Sequence, residues 1–268
     1  MSFDYEASIW GRGTATTRIT DPAAFRLRAA LRSVQEIKAG EKVVEVGCGA
    51  GQFIRAIKNA RPDLECFGTD ISLSALNDAR SADDGVTYLE QQEYRLPFDN
   101  SSVSAILVFD VLEHVADPSA FIIELKRVLR PGGIIYAFVP CEGDRLSFWN
   151  LLNSLGIGQG LTKKYAGHIQ KYTRDGLLGL FIEKGMRVYV STYSEHFFGQ
   201  LAGLAAFFAM DRAAKNETGQ INNESFFSKK TGPAIAMLKN IGNSLIFAES
   251  SLLHWLPSPN IHLVVQKP

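Results

Sequence analysis

The chain has 268 residues, 46% hydrophobic and 21% charged, a balance that fits a folded, core-forming protein and excludes a disordered or fibrous one. Its 28 basic residues are matched by 28 acidic ones. No overall positive field therefore attracts nucleic acid, and no basic stripe or aromatic-interleaved basic tract appears. The 3 cysteines, Cys48, Cys66 and Cys141, contain no C-x-x-C pair. That argues against a disulfide framework and a structural zinc site, so no metal is expected and a reducing, cytoplasmic setting is. The opening MSFDYEASIWGRG lacks the charged head and apolar run of a secretory signal.

In chain order, Asp21-Pro22 reads as an N-cap followed by proline at the first helical position. Apolar residues from Phe25 to Ile37 carry that helix to about Ala39-Gly40. The period then shortens. Residues 42–46 (KVVEV) form a strand, closed by the glycine-rich turn Gly47-Cys48-Gly49-Ala50-Gly51. A helical run, 53–59, stops before Pro62. Residues 64–69 are a second strand ending at Asp70, and Ser72 caps a helix over 73–80. Strands follow at 86–89 and 105–109, then a helix from Pro118 to Leu129 and the turn Arg130-Pro131-Gly132-Gly133. Residues 134–139 (IIYAFV) are wholly apolar, as expected of a strand covered on both faces. A helix over 174–184, a strand over 187–192 and a final strand over 261–266 complete the alternation. Strands alternating with helices imply βαβ units and a doubly wound, mostly parallel α/β sheet.

Residues 195–259 interrupt this rhythm. They hold an almost uncharged run, 197–210, a polar stretch, and an amphipathic helix over 232–255 with Ile235, Leu238, Ile241, Leu245, Leu252 and Trp255 near helical spacing. The apolar run is shorter than the ~20 residues that span a bilayer. It reads as a buried or partner-facing helix, with contact at a membrane surface as the alternative.

The chemistry concentrates in Glu45-Val46-Gly47-Cys48-Gly49-Ala50-Gly51 and in Asp70 one strand further on. Glycines after a strand let the backbone approach a ligand where a Cβ would clash, and the next helix aims its N-terminal amides at the same place. A carboxylate at the end of the neighbouring strand can accept from both hydroxyls of a ribose. An adenosine cofactor follows. The dinucleotide fingerprint needs G-x-G-x-x-G to seat a pyrophosphate, and Gln52 occupies its third glycine position. S-adenosylmethionine (SAM) has no phosphate, and Glu45 is placed to help with its ammonium group. This favours SAM over NAD.

The stretch EVGCGAG…GTDIS…LPFDNSSVSAILVFDVLEHVADP…ELKRVLRPGG resembles a class I SAM-dependent methyltransferase of the ubiquinone/menaquinone-biosynthesis-like, type 11 group. The resemblance covers about residues 41–139 and, less specifically, the region to 192. It implies a seven-stranded Rossmann-like sheet with an antiparallel last strand and a helical cap inserted before it. The glycine loop (Glu45, Gly47, Cys48, Gly49, Gly51) would take the methionine part of the cofactor and Asp70 with Ile71 the ribose. Gln92 or Glu93 would take the adenine, and Phe109, Asp110, Val111 and His114 would close the pocket. Gln92 stands where this group usually has aspartate; its amide oxygen can still accept from the adenine amino group.

If the acceptor is a hydroxyl, a base helps, and His114 and His168 are the candidates. His114 reads first as pocket lining; His168, in GHIQKYT, resembles an element that faces substrate in this group. Cys141 after strand five is a further acceptor-facing residue to weigh, Glu113 and Glu124 read as solvent-facing or capping, and Tyr5 and Trp10 as a lid or as packing for the first helix. The expected division is an N-terminal arm and helix (1–40), a cofactor-binding core (41–194, with 141–172 part of the cap), a helical insertion (195–259) and the last core strand (260–268). The insertion replaces a hairpin loop for which roughly 2–5 residues suffice. With 141–172 it forms a cap rich in Phe148, Trp149, Leu151, Phe197, Phe198, Phe207, Phe208 and Trp255, which implies an apolar or amphiphilic small-molecule acceptor, a homodimer contact, or peripheral membrane contact through 197–210 and 232–256. Methyl transfer to oxygen is the reading this supports. Its rivals are an NAD-linked oxidoreductase and a methyltransferase-like scaffold that no longer turns over.

Overall fold

The apolar runs form one seven-stranded sheet in the computed structural model, which describes residues 4, 6, 9–216 and 232–268. The strands are β1 (Lys42–Val46), β2 (Glu65–Asp70), β3 (Thr87–Glu90), β4 (Val103–Phe109), β5 (Leu129–Pro140), β6 (Arg187–Ser194) and β7 (Asn260–Gln266), in the order β3-β2-β1-β4-β5-β7-β6. Strands β1 to β5 pair in parallel, while β7 runs antiparallel to both β5 and β6. The doubly wound sheet with a reversed last strand is therefore as expected. β4 is buried along its whole length because helices cover both faces, which is why it reads as an unbroken apolar run.

One face is covered by α1 (Ala24–Ser33), α2 (Gln52–Ala60) and α3 (Leu73–Arg80), through Leu27, Ile54, Ile57 and Leu76. The other is covered by α4 (Pro118–Val128) and, further along the chain, the helix Arg174–Glu183, through Phe121, Leu125, Leu177 and Phe181. Side-chain caps set several starts. Ser72 accepts from the Ala75 amide at α3, and Asp117 from the Ala120 amide at α4, with Pro118 at the first turn.

Two boundaries differ from expectation. α1 starts at Ala24, since the Asp21 carboxylate is spent on the preceding turn, accepting from the Ala23 amide and from both Thr16 donors. It also ends at Ser33, because the Arg61 guanidinium takes the carbonyls of Val34, Gln35 and Ile37. The Pro-Gly-Gly segment is not a free turn. It opens β5 and is tied to the chain end by Gly132 N to Lys267 O at 2.8 Å and Lys267 N to Gly133 O at 3.0 Å.

Between β5 and the Arg174–Glu183 helix (α7) lie α5 (Phe148–Ser154) and α6 (Leu161–Ala166); between β6 and β7 lie α8 (Phe198–Asn216) and α9 (Pro233–Leu253). α5, α6 and α8 share a small apolar cluster of Leu161, Tyr165 and Met210, with Trp149 edge-on to Phe207 at 5.4 Å. α9 lies instead against α1, with Phe247 edge-on to Phe25 at 6.3 Å, and its Glu249 carboxylate caps the start of α8. Leu238 is 68% exposed, Leu252 73% and Trp255 66%, so Trp255 lies outside the aromatic cluster. Among the described residues no helix is long and apolar enough to cross a membrane.

Candidate active site

The parallel register sets Gly47, Asp70 and Asp110 side by side at the carboxyl ends of β1, β2 and β4. This is where the chain direction across the sheet switches and where ligands of such sheets sit. The loop after β1 is pinned by its own amides. Gly47 N and Cys48 N both donate to Thr69 O, at 2.8 and 2.9 Å, and Gly49 N donates to Asp70 Oδ2 at 2.7 Å. Gly49 has φ +54°, and a Cβ there would lie 2.6 Å from the Trp10 carbonyl oxygen; Gly47 has φ +73°, and its Cβ would lie 2.5 Å from Val111 Cγ2. Both positions therefore require glycine twice over, by dihedral angle and by space.

Asp70 Oδ1 accepts from the Ser72 amide at 2.9 Å. Each carboxylate oxygen thus keeps a lone pair for a further donor. Burial raises the Asp70 carboxyl, opposed by the amides of Ser72, Gly49 and Ile71. Ile71 beside it is 44% exposed. Past β3, Gln92 and Glu93 are exposed, Gln92 bridging to Arg95. The neighbouring Gln91 is buried and accepts from Thr69 Oγ1 at 2.6 Å.

The arm before α1 crosses this end of the sheet. The Glu6 carboxylate accepts from the Leu73 and Ser74 amides at the start of α3, and Trp10 O accepts from Ala50 N at 2.7 Å. Trp10 therefore lies on the glycine loop; Tyr5 lies outside the described residues. Arg55 of α2 donates to the Gly13 and Ala50 carbonyls and pairs with Asp84 at 2.7 Å.

Glu45, the residue expected at the cofactor's ammonium group, braces the start of α2. Its Oε2 accepts from the Ile54 amide at 2.7 Å, holding the first turn of α2. Burial pushes its carboxyl from 4.5 up to about 8, with the Ile54 bond opposing. The folded protein then binds a proton that the unfolded chain releases above pH 4.5, so this contribution to stability is present at low pH and lost as pH rises toward 8. Glu45→Gln is expected to remove that loss. Between about pH 5 and 8 its unfolding free energy should fall less than the parent's, by roughly 2–4 kcal/mol, read from urea midpoints. Parallel pH profiles would show that Glu45 does not titrate there.

At the end of β4 the Phe109 ring turns into the core, stacked on Phe53 at 4.0 Å. Asp110, at φ +51°, pairs with Arg26 of α1 at 2.8 Å, and Arg26 also reaches Glu195 at 3.0 Å. Neither Arg26 nor Glu195 stands out in the sequence, because their meeting depends on α1 and the end of β6 converging. Cys48 and Cys141 are buried, and burial raises both thiols, so neither is an activated nucleophile. Cys141 belongs to the core rather than facing the acceptor.

One residue beyond Val111, a single 3-10 turn, Leu112–His114, carries a polar cluster. The backbone of 167–172 is laced to this turn. Ile169 N and Gln170 N donate to Glu113 O at 2.9 and 3.0 Å, and Tyr172 Oη to Leu112 O at 3.0 Å. Residues far apart in sequence thereby meet: the His114 and His168 rings lie edge-to-face at 5.1 Å. His114 Nδ1 lies 3.1 Å from Gly167 O. His168 Nδ1 lies 2.6 Å from Glu142 Oε1, and Glu142 Oε2 accepts from Thr162 Oγ1 at 2.9 Å. His168 Nε2 faces Glu113 Oε1 at 3.9 Å.

Glu113 corrects the solvent-facing reading. Its side chain is 0% exposed, and neither carboxylate oxygen has a hydrogen-bond partner. An amphipathic turn hides this, since a carboxylate on its inner face looks no different in sequence from one outside. Burial, reinforced by the charge of Asp110, pushes Glu113 up to about 8. Burial, with the His168 charge beside it, pulls His114 down to about 4. For His168 burial works downward, but the Glu142 bond and the charges of Glu113, Glu142 and Asp110 outweigh it and raise it. Glu124, also read as solvent-facing or capping, is neither: it is buried within α4, accepting from the Leu96 amide and Arg127.

A turn whose glycine positions are closed to a Cβ, a carboxylate with open lone pairs one strand over and no third dinucleotide glycine fit SAM. The model described as "Methyltransferase domain" matches residues 44–137, spanning the glycine loop, Asp70 and the Glu113 turn. These residues form a methyltransferase domain of the class I SAM-dependent kind. Within that class, the chain is 30% identical to the demethylmenaquinone methyltransferase of Clavibacter sepedonicus, over 52% of this chain and 56% of that one. It is 33% identical to the ubiquinone biosynthesis O-methyltransferase of Cupriavidus pinatubonensis, over 37% and 41%. Such alignments span about half the length of the curated relatives. The solved SAM-dependent methyltransferase of Mesorhizobium loti shares the fold over 91% of this chain and 97% of its own, with a TM-score of 0.54 at 18% identity.

Proposed function

We propose that the protein transfers the methyl group of SAM to a hydroxyl oxygen of an apolar or amphiphilic small molecule. The observation that carries this is the cluster of buried Glu113 with half-buried His114 and His168, which begins one residue from Val111, the side chain that closes on Gly47. Two of the relatives are quinone-biosynthesis methyltransferases, one named for transfer to oxygen, which supports the choice of atom.

When bound, SAM supplies a sulfonium-activated methyl group. The chain's part is to hold and align it. Asp70 accepts from the ribose hydroxyls, and the glycine turn lets the methionine part lie against the backbone. The arm through Glu6 and Trp10 covers this end and excludes water. On the acceptor side, Glu142 fixes the proton of His168 on Nδ1 and leaves Nε2 to take the hydroxyl proton as the new oxygen–carbon bond forms. The aromatic cluster around Trp149 and Phe207 supplies an apolar wall for the acceptor.

The test is calorimetry with SAM and with NAD, followed by incubation with SAM and hydroxylated aromatic or amphiphilic acceptors. The expected result is saturable SAM binding, no NAD binding, and release of S-adenosylhomocysteine with a free hydroxyl but not with its methyl ether. Binding of NAD in place of SAM would overturn the reading. Binding of SAM with turnover on no acceptor would favour the scaffold.

A further inference from the structure

The α9 helix is apolar on two opposite sides, and only one of them is covered. Towards the sheet, Phe247 packs on Phe25 and under the Arg28 guanidinium at 4.4 Å, Ser250 is fully buried, and Asn243 donates to Thr20 O at 2.8 Å. On the outer side Leu238, Ile241, Leu245, Leu252 and Trp255 are between 46% and 73% exposed. A helix that is apolar all round belongs in the interior of a molecule or of an assembly.

The spacing on the outer side is stricter than amphipathicity requires. Leu238, Ile241, Leu245, Ala248, Leu252 and, just past the helix end, Trp255 follow unbroken steps of three and four, the repeat of a coiled-coil seam. Such a repeat fits knobs into the holes of a facing helix; a lipid surface offers no holes and needs no repeat. The charges agree. Lys239 and Glu249 are the only ones on α9, so the basic face that draws a helix to a membrane surface is missing. Glu249 is already spent on the Phe197 and Phe198 amides. The rows flanking the seam carry Gly242, Ser244 and Ser251, small and uncharged, so a second helix can approach closely. Ile19 and Thr20 stand beside Ile241 and Leu245 across an open groove of about 780 Å³, which widens the apolar strip.

We infer that α9 pairs antiparallel with α9 of a second copy of this chain, about a twofold axis at the level of Ile246 and Phe247. This register sets Leu238 opposite Trp255 of the second copy, Ile241 opposite Leu252 and Leu245 opposite Ala248, each contact made twice by the symmetry. Large side chains then face smaller or matching ones in every layer. A parallel pair would set Ala248 on Ala248 and Trp255 on Trp255, a gap and a clash two turns apart. At on the order of 100 Å² for each large seam side chain, the pair covers roughly 1,000 Å², the size at which specific interfaces begin. The pairing does not depend on the methyl-transfer reading.

The test is sedimentation velocity on the full chain, with thiols kept reduced, over about 1–100 µM. The expected result is a mass that rises from one chain to two. Leu245→Lys places an unpaired charge at the centre of the seam and should weaken the dimer at least ~30-fold, while Ile182→Lys, equally exposed but on the far side of the sheet, should leave it unchanged. Circular dichroism and SAM calorimetry on the same samples show that both variants are folded. Oxidation then reads the register, since the native cysteines are all buried. The double variant Ile241→Cys/Leu252→Cys should form a covalent dimer and neither single variant should, because each position lies ~16 Å along the helix from its own counterpart. A mass of one chain at every concentration, an undiminished dimer in folded Leu245→Lys, or cross-linking by a single variant overturns the inference. So does a monomer that floats with phosphatidylcholine–phosphatidylglycerol vesicles and loses that binding in Leu245→Lys, which assigns the seam to a lipid surface.

Discussion

Replacing Asp70 with alanine is expected to weaken SAM binding by about 100-fold or more while the protein still folds. A carboxylate that accepts from two ribose hydroxyls contributes about 1.5–3 kcal/mol per bond where the site is shielded from water, and about 2.7 kcal/mol is already a factor of 100. A second loss adds to it. Asp70 Oδ2 holds the Gly49 amide at 2.7 Å and Oδ1 the Ser72 amide at 2.9 Å, so alanine also releases the glycine loop and the start of α3. Asp70→Asn separates the two effects. Its amide oxygen can keep one amide partner, while its NH2 group cannot accept, so an intermediate loss of about 10-fold is expected. Calorimetry gives the affinities, and urea midpoints show how much of each loss is stability. If Asp70→Ala binds SAM within about threefold of the parent, Asp70 is not the ribose ligand.

The cofactor side of this molecule was legible because its signals are local. A strand, a glycine turn and the next strand's terminal acid lie within one βαβ unit, and its parallel pairing leaves little freedom over where Gly47 and Asp70 meet. Length and periodicity likewise located all seven strands, with errors confined to ends. Those errors came from side chains acting across the fold, as when Arg61 takes the carbonyls that would have continued α1. The acceptor side was only half legible. His114 and His168 were marked by residue type and setting, but Glu113 was read as a surface residue and Glu142 was not marked at all. Their roles arise from the lacing of 167–172 onto the 3-10 turn, a long-range contact with no periodicity to announce it. For α9 the spacing announced an amphipathic helix but not what its apolar face would meet: Phe247 packs on α1, while Leu238 and Leu252 stay exposed.

His168→Ala is expected to reduce turnover by roughly 10²–10⁴-fold with SAM affinity within about threefold of the parent. The two readouts divide because the groups that would hold the cofactor and those that would activate the acceptor occupy different turns. Asp70 and the glycine loop are organised by Thr69, Ser72 and Trp10, none of which touches His168. His168 answers instead to Glu142, through a 2.6 Å bond at Nδ1. Removing the imidazole takes away the atom that accepts the hydroxyl proton, so the chemical step suffers. Glu142→Gln should be milder, about 10-fold in kcat with KM little changed, because the glutamine oxygen can still accept from Nδ1 while no longer stabilising an imidazolium. A structural role for His168 would look different. It would lower the urea midpoint and SAM affinity together and leave kcat per folded molecule near the parent value. That pattern, or full turnover by folded His168→Ala, would remove His168 from the reaction and with it the assignment of the acceptor site to this turn.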